Sequence, residues 1–241
     1  MFEARDIAFS YGDRTLYEGF NFSVSPGERV ALSAPSGFGK TTLCKILSGY
    51  VGPKAGEVLV DGAPLPRHGA CPVQMIWQHP ETAVDPRMRM RKVLAETAGS
   101  CLKAMGSSDF MPQDDSQREL MRLIDAFGIR REWLDRFPHE LSGGELQRFC
   151  IVRALALHPR YLIADEMSTM LDALTQARIW AALLQELERS GAGLRTLPPR
   201  RVASQFRSPT ISPQVARMPA FVKSLQRSSL RPAPFFLRDK L

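Results

Sequence analysis

Apolar and polar positions alternate along Glu3–Ser10 and Phe20–Val24, the two-residue period of half-exposed antiparallel strands. Four apolar runs follow a different pattern. Arg29–Ser33, Glu57–Val60, Val73–Trp77 and Tyr161–Ala164 are short and bounded by turn residues, which predicts strands, and Asp61-Gly62 marks a tight turn after the second. Helical spacing predicts helices at Thr42–Leu47, Val93–Met105, Arg118–Phe127, Glu145–Leu157 and Ala173–Glu188. In the last of these Leu183, Leu184 and Leu187 share one side. No internal repeat is visible. At 241 residues the chain is long enough for one α/β domain with a helical insert.

Composition narrows the class. No segment approaches 18 consecutive apolar residues, so none is expected to cross a membrane, and the first residues read as a strand and not a signal peptide. Cys44, Cys71, Cys101 and Cys150 are scattered with no metal-ligand spacing, which predicts reduced, mostly buried thiols. The net charge of +7 divides unevenly. Residues 1–192 carry 22 Lys/Arg against 24 Asp/Glu, whereas residues 193–241 carry 10 against 1. The basic character therefore belongs to the C-terminal segment alone.

The chemistry centres on Ala34-Pro35-Ser36-Gly37-Phe38-Gly39-Lys40-Thr41-Thr42, between a predicted strand and a predicted helix. Such a turn aims successive backbone N–H groups and a helix N-terminus at a polyphosphate, with Lys40 reaching the β/γ-phosphates and the Thr41 hydroxyl on Mg²⁺. Ala34 stands where the usual pattern has its first glycine. If that position needs a positive φ, the alanine costs about 1 kcal/mol. The competing reading is a Gly/Ser-rich turn before a helix.

Further motifs set the context. Leu141-Ser142-Gly143-Gly144-Glu145-Leu146-Gln147-Arg148 opens a predicted helix, Asp165 and Glu166 close the strand Tyr161–Ala164, Ser168-Thr-Met-Leu-Asp172 follows, and Gln78 closes Val73–Trp77. In order and spacing these resemble the signature, Walker B, D-loop and Q-loop of the ATP-binding cassettes of ABC transporters. The resemblance covers residues 1–192, about four fifths of the chain. Gln78-His-Pro-Glu-Thr-Ala-Val-Asp-Pro-Arg87 is most similar to the dipeptide, oligopeptide and nickel importer group, with Val84 and Asp85 departing from its usual pattern.

The resemblance implies a P-loop NTPase fold: a RecA-like parallel core, an N-terminal antiparallel subdomain and a helical subdomain over about residues 79–157. It implies an ATPase driving import of a small solute through a permease. Tyr11 is expected to stack on adenine, though a tyrosine at the edge of a turn is the plain alternative. Asp165, Thr41 and Gln78 are expected at Mg²⁺, and Glu166 is expected to orient or deprotonate the attacking water. An Asp-Glu pair used only for ion pairing is the alternative there. Ser142, Gly143 and Gly144 would cradle a nucleotide held by a second cassette, with Asp172 in the D-loop beside it. Partners expected are that second cassette, identical or different, the permease and an extracytoplasmic solute-binding protein, but no nucleic acid. The chain would sit in the cytoplasm, peripheral on the inner face of the membrane.

The resemblance stops at residue 193. Relatives continue into a strand ending in a histidine, whereas His158 is the last histidine here and seven of the 18 prolines fall in residues 193–241. That segment reads as a basic Pro/Ser/Arg-rich tail without strands, disordered or the product of a frameshift, and its loss of a central strand predicts a poorly stable cassette. A genuine basic replacement that touches anionic lipid or nucleic acid is the alternative. Two other functional readings stand beside the importer: a subunit that binds ATP without hydrolysing it, and a non-transport ABC protein acting on nucleic acid.

Overall fold

The computed structural model describes residues 1–33, 38–97, 114–165 and 171–190, and the backbone of 193–196 and 214–217. Two sheets carry the fold. The first is antiparallel, with β1 (Phe2–Tyr11), β2 (Arg14–Val24), β4 (Ala55–Val60) and β5 (Ala63–Pro64) in the order β2-β1-β4-β5. The second contains β3 (Arg29–Ser33), β6 (Val73–Ile76), β7 (Tyr161–Ala164), β8 (Gly193–Thr196) and β9 (Gln214–Arg217), in the order β6-β7-β8-β3-β9. Its first four strands run parallel and β9 pairs antiparallel to β3 at the edge.

Strand β7 reads as a continuous apolar run because both its faces are covered. Val73, Met75, Tyr161 and Ile163 point into a core shared with α1 (Lys40–Leu47) and the antiparallel sheet. Ile76, Leu162 and Ala164 point the other way, into a core shared with the helices. Those helices are α2 (Met90–Ala95), α3 (Asp115–Ala126), α4 (Gly143–Ala156) and α5 (Ala173–Ser190). The predicted helix at Val93–Met105 begins earlier, at Met90, and is capped at Glu96. Residues 98–113 lie outside the described chain.

Two short segments correct the expectation that residues 193–241 hold no strand. Gly193–Thr196 lies between β7 and β3, with Thr196 level with both Ala164 and Ala31. The central position expected to be empty is filled, so the predicted loss of both its ladders does not hold. The reason is physical: ladder hydrogen bonds come from the backbone and need no side-chain pattern, and neither Gly193-Leu-Arg-Thr196 nor Gln214-Val-Ala-Arg217 contains a proline. The rest of that segment lies outside the described residues.

Candidate functional site

The C-terminal ends of β3, β6, β7 and β8 share one edge of the parallel sheet, the edge where open α/β sheets bind ligands. On β7 that edge delivers Asp165, 2% exposed, whose amide donates to the Ile76 carbonyl at 3.0 Å. Gln78, half-buried, follows two residues after Ile76 on the neighbouring strand. Two of the three predicted metal-site residues are thus brought to adjacent strand ends, while the third, Thr41, lies in the first turn of α1 (Lys40–Leu47). Glu166 and Ala34, Pro35, Ser36 and Gly37 lie outside the described residues.

The end of the phosphate loop is described, and its geometry suits an anion. Gly39 is the N-cap of α1 at φ 79°, a left-handed conformation that favours glycine. Among the described residues no side chain caps this helix and its first turn holds no acidic residue, which suits an anion at its positive end. Lys40, Thr41 and Thr42 form that first turn. A Cβ on Gly39 would lie 3.1 Å from both Leu16 Cδ1 and the Tyr17 hydroxyl. Tyr17 donates to the Phe38 carbonyl at 3.0 Å. The β1–β2 hairpin therefore braces the loop from behind, and the same hairpin carries Tyr11 at its tip. Tyr11 is 55% exposed, with its ring set edge-on to Phe9 at 5.0 Å, so a ring face remains open for stacking. Tyr17 and Leu16 were not singled out from sequence, because a contact to Phe38 and Gly39 across more than twenty residues leaves no local pattern.

The second cradle is built differently. Ser142 is the N-cap of α4, accepting from the Glu145 amide at 3.3 Å while the Glu145 carboxylate accepts from the Ser142 amide at 2.8 Å. The capping box fixes the start of the helix and leaves the Gly143 and Gly144 amides pointing outward. Gly144 packs inward, where an added Cβ would meet Leu171 Cδ2 at 3.1 Å. Gly143 has open space at that position and an ordinary helical φ. The described residues leave room for a side chain at Gly143. Accordingly, Gly143→Ala should leave the chain as stable or up to about 1 kcal/mol more stable. Gly144→Ala should cost about 1 kcal/mol through crowding of Leu171. Thermal denaturation of the two variants checks the contrast.

Asp172 sits beside this cradle with its carboxylate engaged as a helix cap. It accepts from the Leu174 and Thr175 amides at 3.1 and 2.9 Å, and the Thr175 hydroxyl bond in particular holds its pKa below the usual range. Arg148, later in the signature sequence, donates to the Phe127 carbonyl at 2.6 Å and ties α4 to the end of α3. Burial pushes its pKa down, assisted by Arg178. Burial also pushes the Cys150 thiol up to about 12, so it is a neutral core group and not a nucleophile. A groove of about 460 Å³ lined by residues of α3, α4 and α5 contains none of the cradle residues. Its carboxylates Glu119 and Glu186 are paired with Arg122 and Arg189.

The family model for ABC transporter matches residues 17–169. The chain belongs to the ABC transporter family. It is an ATP-binding cassette of the ATPase type. The nickel import ATP-binding protein NikE of Brucella abortus (strain 2308) is 31% identical over 249 residues, covering 99% of this chain and 91% of that protein. The probable peptide ABC transporter ATP-binding protein y4tS of Sinorhizobium fredii is 32% identical over 186 residues, covering 73% of this chain and 50% of its own length. Among solved structures, cbiO1 of Clostridium perfringens, part of an ABC transporter complex, superposes with a TM-score of 0.62 at 21% identity, covering 81% of this chain and 77% of that one. At that identity the likeness shows the fold alone.

The residues present fit ATP. The glycine-capped start of α1 would supply N–H donors to phosphate, the exposed Tyr11 ring a stacking surface, and the buried Asp165 carboxylate an acceptor for a metal ion.

Proposed function

We propose that this chain is the ATP-hydrolysing subunit of an importer, one of two cassettes that face each other beneath a membrane permease. The observation that supports it most is the pairing of two cradles on one chain. One, at Gly39-Lys40-Thr41, opens the helix that follows β3, whose C-terminal end shares a sheet edge with those that carry Gln78 and Asp165, and the other, at Ser142-Gly143-Gly144, opens α4. In this reading Lys40 holds the β/γ-phosphates, while Thr41, Gln78 and Asp165 hold Mg²⁺. Bound there, the metal would neutralise phosphate charge. Tyr11 stacks on adenine, and Glu166 orients or deprotonates water. Ser142, Gly143 and Gly144, with Asp172 beside them, close the second cassette's site. No helix among the described residues is long and apolar enough to cross a membrane, in keeping with a peripheral subunit on the cytoplasmic side. The names of the relatives point to nickel or peptides as the solute, delivered by an extracytoplasmic binding protein.

A second reading, in which the chain holds ATP without turning it over, draws on the sequence after β8. There the sequence runs Leu197-Pro198-Pro199, and no histidine follows His158. For residues 193–241 we propose a change of reading frame, because a Pro/Ser/Arg bias, with 10 Lys/Arg against 1 Asp/Glu, begins there. Sequencing the coding DNA across codons 185–205 tests this, and an alternative frame encoding an apolar strand that ends in Ser-His-Asp would support it.

The functional test is reconstitution with the permease subunits and the second cassette in proteoliposomes. MgATP-driven uptake of Ni²⁺ or a labelled dipeptide is expected, falling by about 10²-fold or more with Lys40→Ala. ATP binding with no hydrolysis in the full assembly would instead select the second reading.

A further inference from the structure

Three side chains on one face of α4 reach three backbone carbonyls of the segment that follows β6. Gln147 Nε2 donates to the Trp77 carbonyl at 3.3 Å, Cys150 Sγ to the Pro80 carbonyl at 3.7 Å, and Arg153 Nη1 to the Ala83 carbonyl at 2.5 Å. Donors and acceptors both advance by three residues, and each pair is 70 residues apart. Gln147 and Cys150 are 2% and 6% exposed; the Cys150 contact is buried and the Gln147 contact part-buried. The acceptors bracket a short 3₁₀ turn, Pro80–Thr82, whose Pro80 is itself buried. Arg153 adds an ion pair to Glu96 at the end of α2.

The arrangement is more than a way of satisfying carbonyls. A single hydrogen bond lets two segments rotate about it. Three of them, spread over about 9 Å of helix axis, fix both register and rotation. Gln78 lies between the first two acceptors, and Ser142 and Gly143 lie one turn before the first donor. Resting on the ATP-binding reading of both cradles, we propose that Gln147, Cys150 and Arg153 are positioning residues. They make the Gln78 segment and the signature helix one moving body. A displacement of Gln78 at the chain's own nucleotide is then delivered to the glycines that face a second one. The two sites of a cassette pair are joined within each chain by this ladder.

Hydrogen exchange on the full-length chain, with and without MgATP, tests the ladder. In the parent chain and in Arg153→Lys, which keeps a donor, MgATP should slow exchange in residues 79–83 and 143–150 together. In Arg153→Met, and in the double variant Gln147→Met/Arg153→Met, the response of 79–83 should persist, while that of 143–150 falls to about a third or less. Full response of both segments in the double variant overturns the proposal. Parallel loss of both responses together with MgATP binding also overturns it, since a merely structural role predicts that result. Without nucleotide, the Thr82 and Ala83 amides of the double variant should exchange about threefold faster or more. An unchanged rate overturns the ladder even if the chain binds no MgATP, a failure that would count against the ATP reading instead.

Discussion

Gly39→Ala should abolish ATP binding and lower stability by about 2–3 kcal/mol. At φ 79° an alanine enters the left-handed region, which alone costs about 1–2 kcal/mol. Its Cβ would also stand 3.1 Å from Leu16 Cδ1 and from the Tyr17 hydroxyl. Leu16 can rotate away. Tyr17 cannot do so freely, because its hydroxyl is bonded to the Phe38 carbonyl. Relief therefore comes from tilting the start of α1, which takes the Lys40 and Thr41 amides out of line with a phosphate. Denaturant unfolding with a calorimetric MgATP titration checks both halves. Wild-type affinity in Gly39→Ala would show that the helix start is not the phosphate site.

Gly56→Ala should have the larger effect on stability, about 4 kcal/mol or more, and should reach the nucleotide site indirectly. Gly56 lies in β4 at φ 83°, where β4 crosses the irregularity in β1 between Arg5 and Ala8. A Cβ there would sit 2.3 Å from the Arg5 carbonyl oxygen and 2.4 Å from that of Asp6. Both obstacles are backbone, so no side chain can yield. Either β1 and β4 separate or the sheet shifts. Since β1 carries Tyr11 and pairs with the β2 residues that brace Gly39, adenine stacking and loop geometry should weaken together. A midpoint within about 1 kcal/mol of the parent would contradict the packing described for this sheet.

The sequence revealed elements whose pattern is local. Alternation located β1, short apolar runs located β3 and β7, and the leucines of α5 located that helix within two residues at its end. The candidate site was legible where chemistry demands particular residues in a short span, as at Gly39-Lys40-Thr41 and Ser142-Gly143-Gly144, both of which open helices. What stayed hidden depends on the backbone or on distance. The strands β8 and β9 use ladder bonds that any residue but proline can make. Tyr17 and Phe38, or Arg153 and Ala83, meet only after folding. Asp172 shows the opposite difficulty. A carboxylate before a helix serves equally as a cap, and the structure uses it as one.

The central claim is that the start of α1 holds ATP. Calorimetric titration of MgATP into the full-length chain, beside the Lys40→Ala variant, tests it most directly. One saturable site per chain, weakened by about tenfold or more in the variant, is the predicted result. No saturable heat in the parent, or equal binding by both proteins, would contradict it.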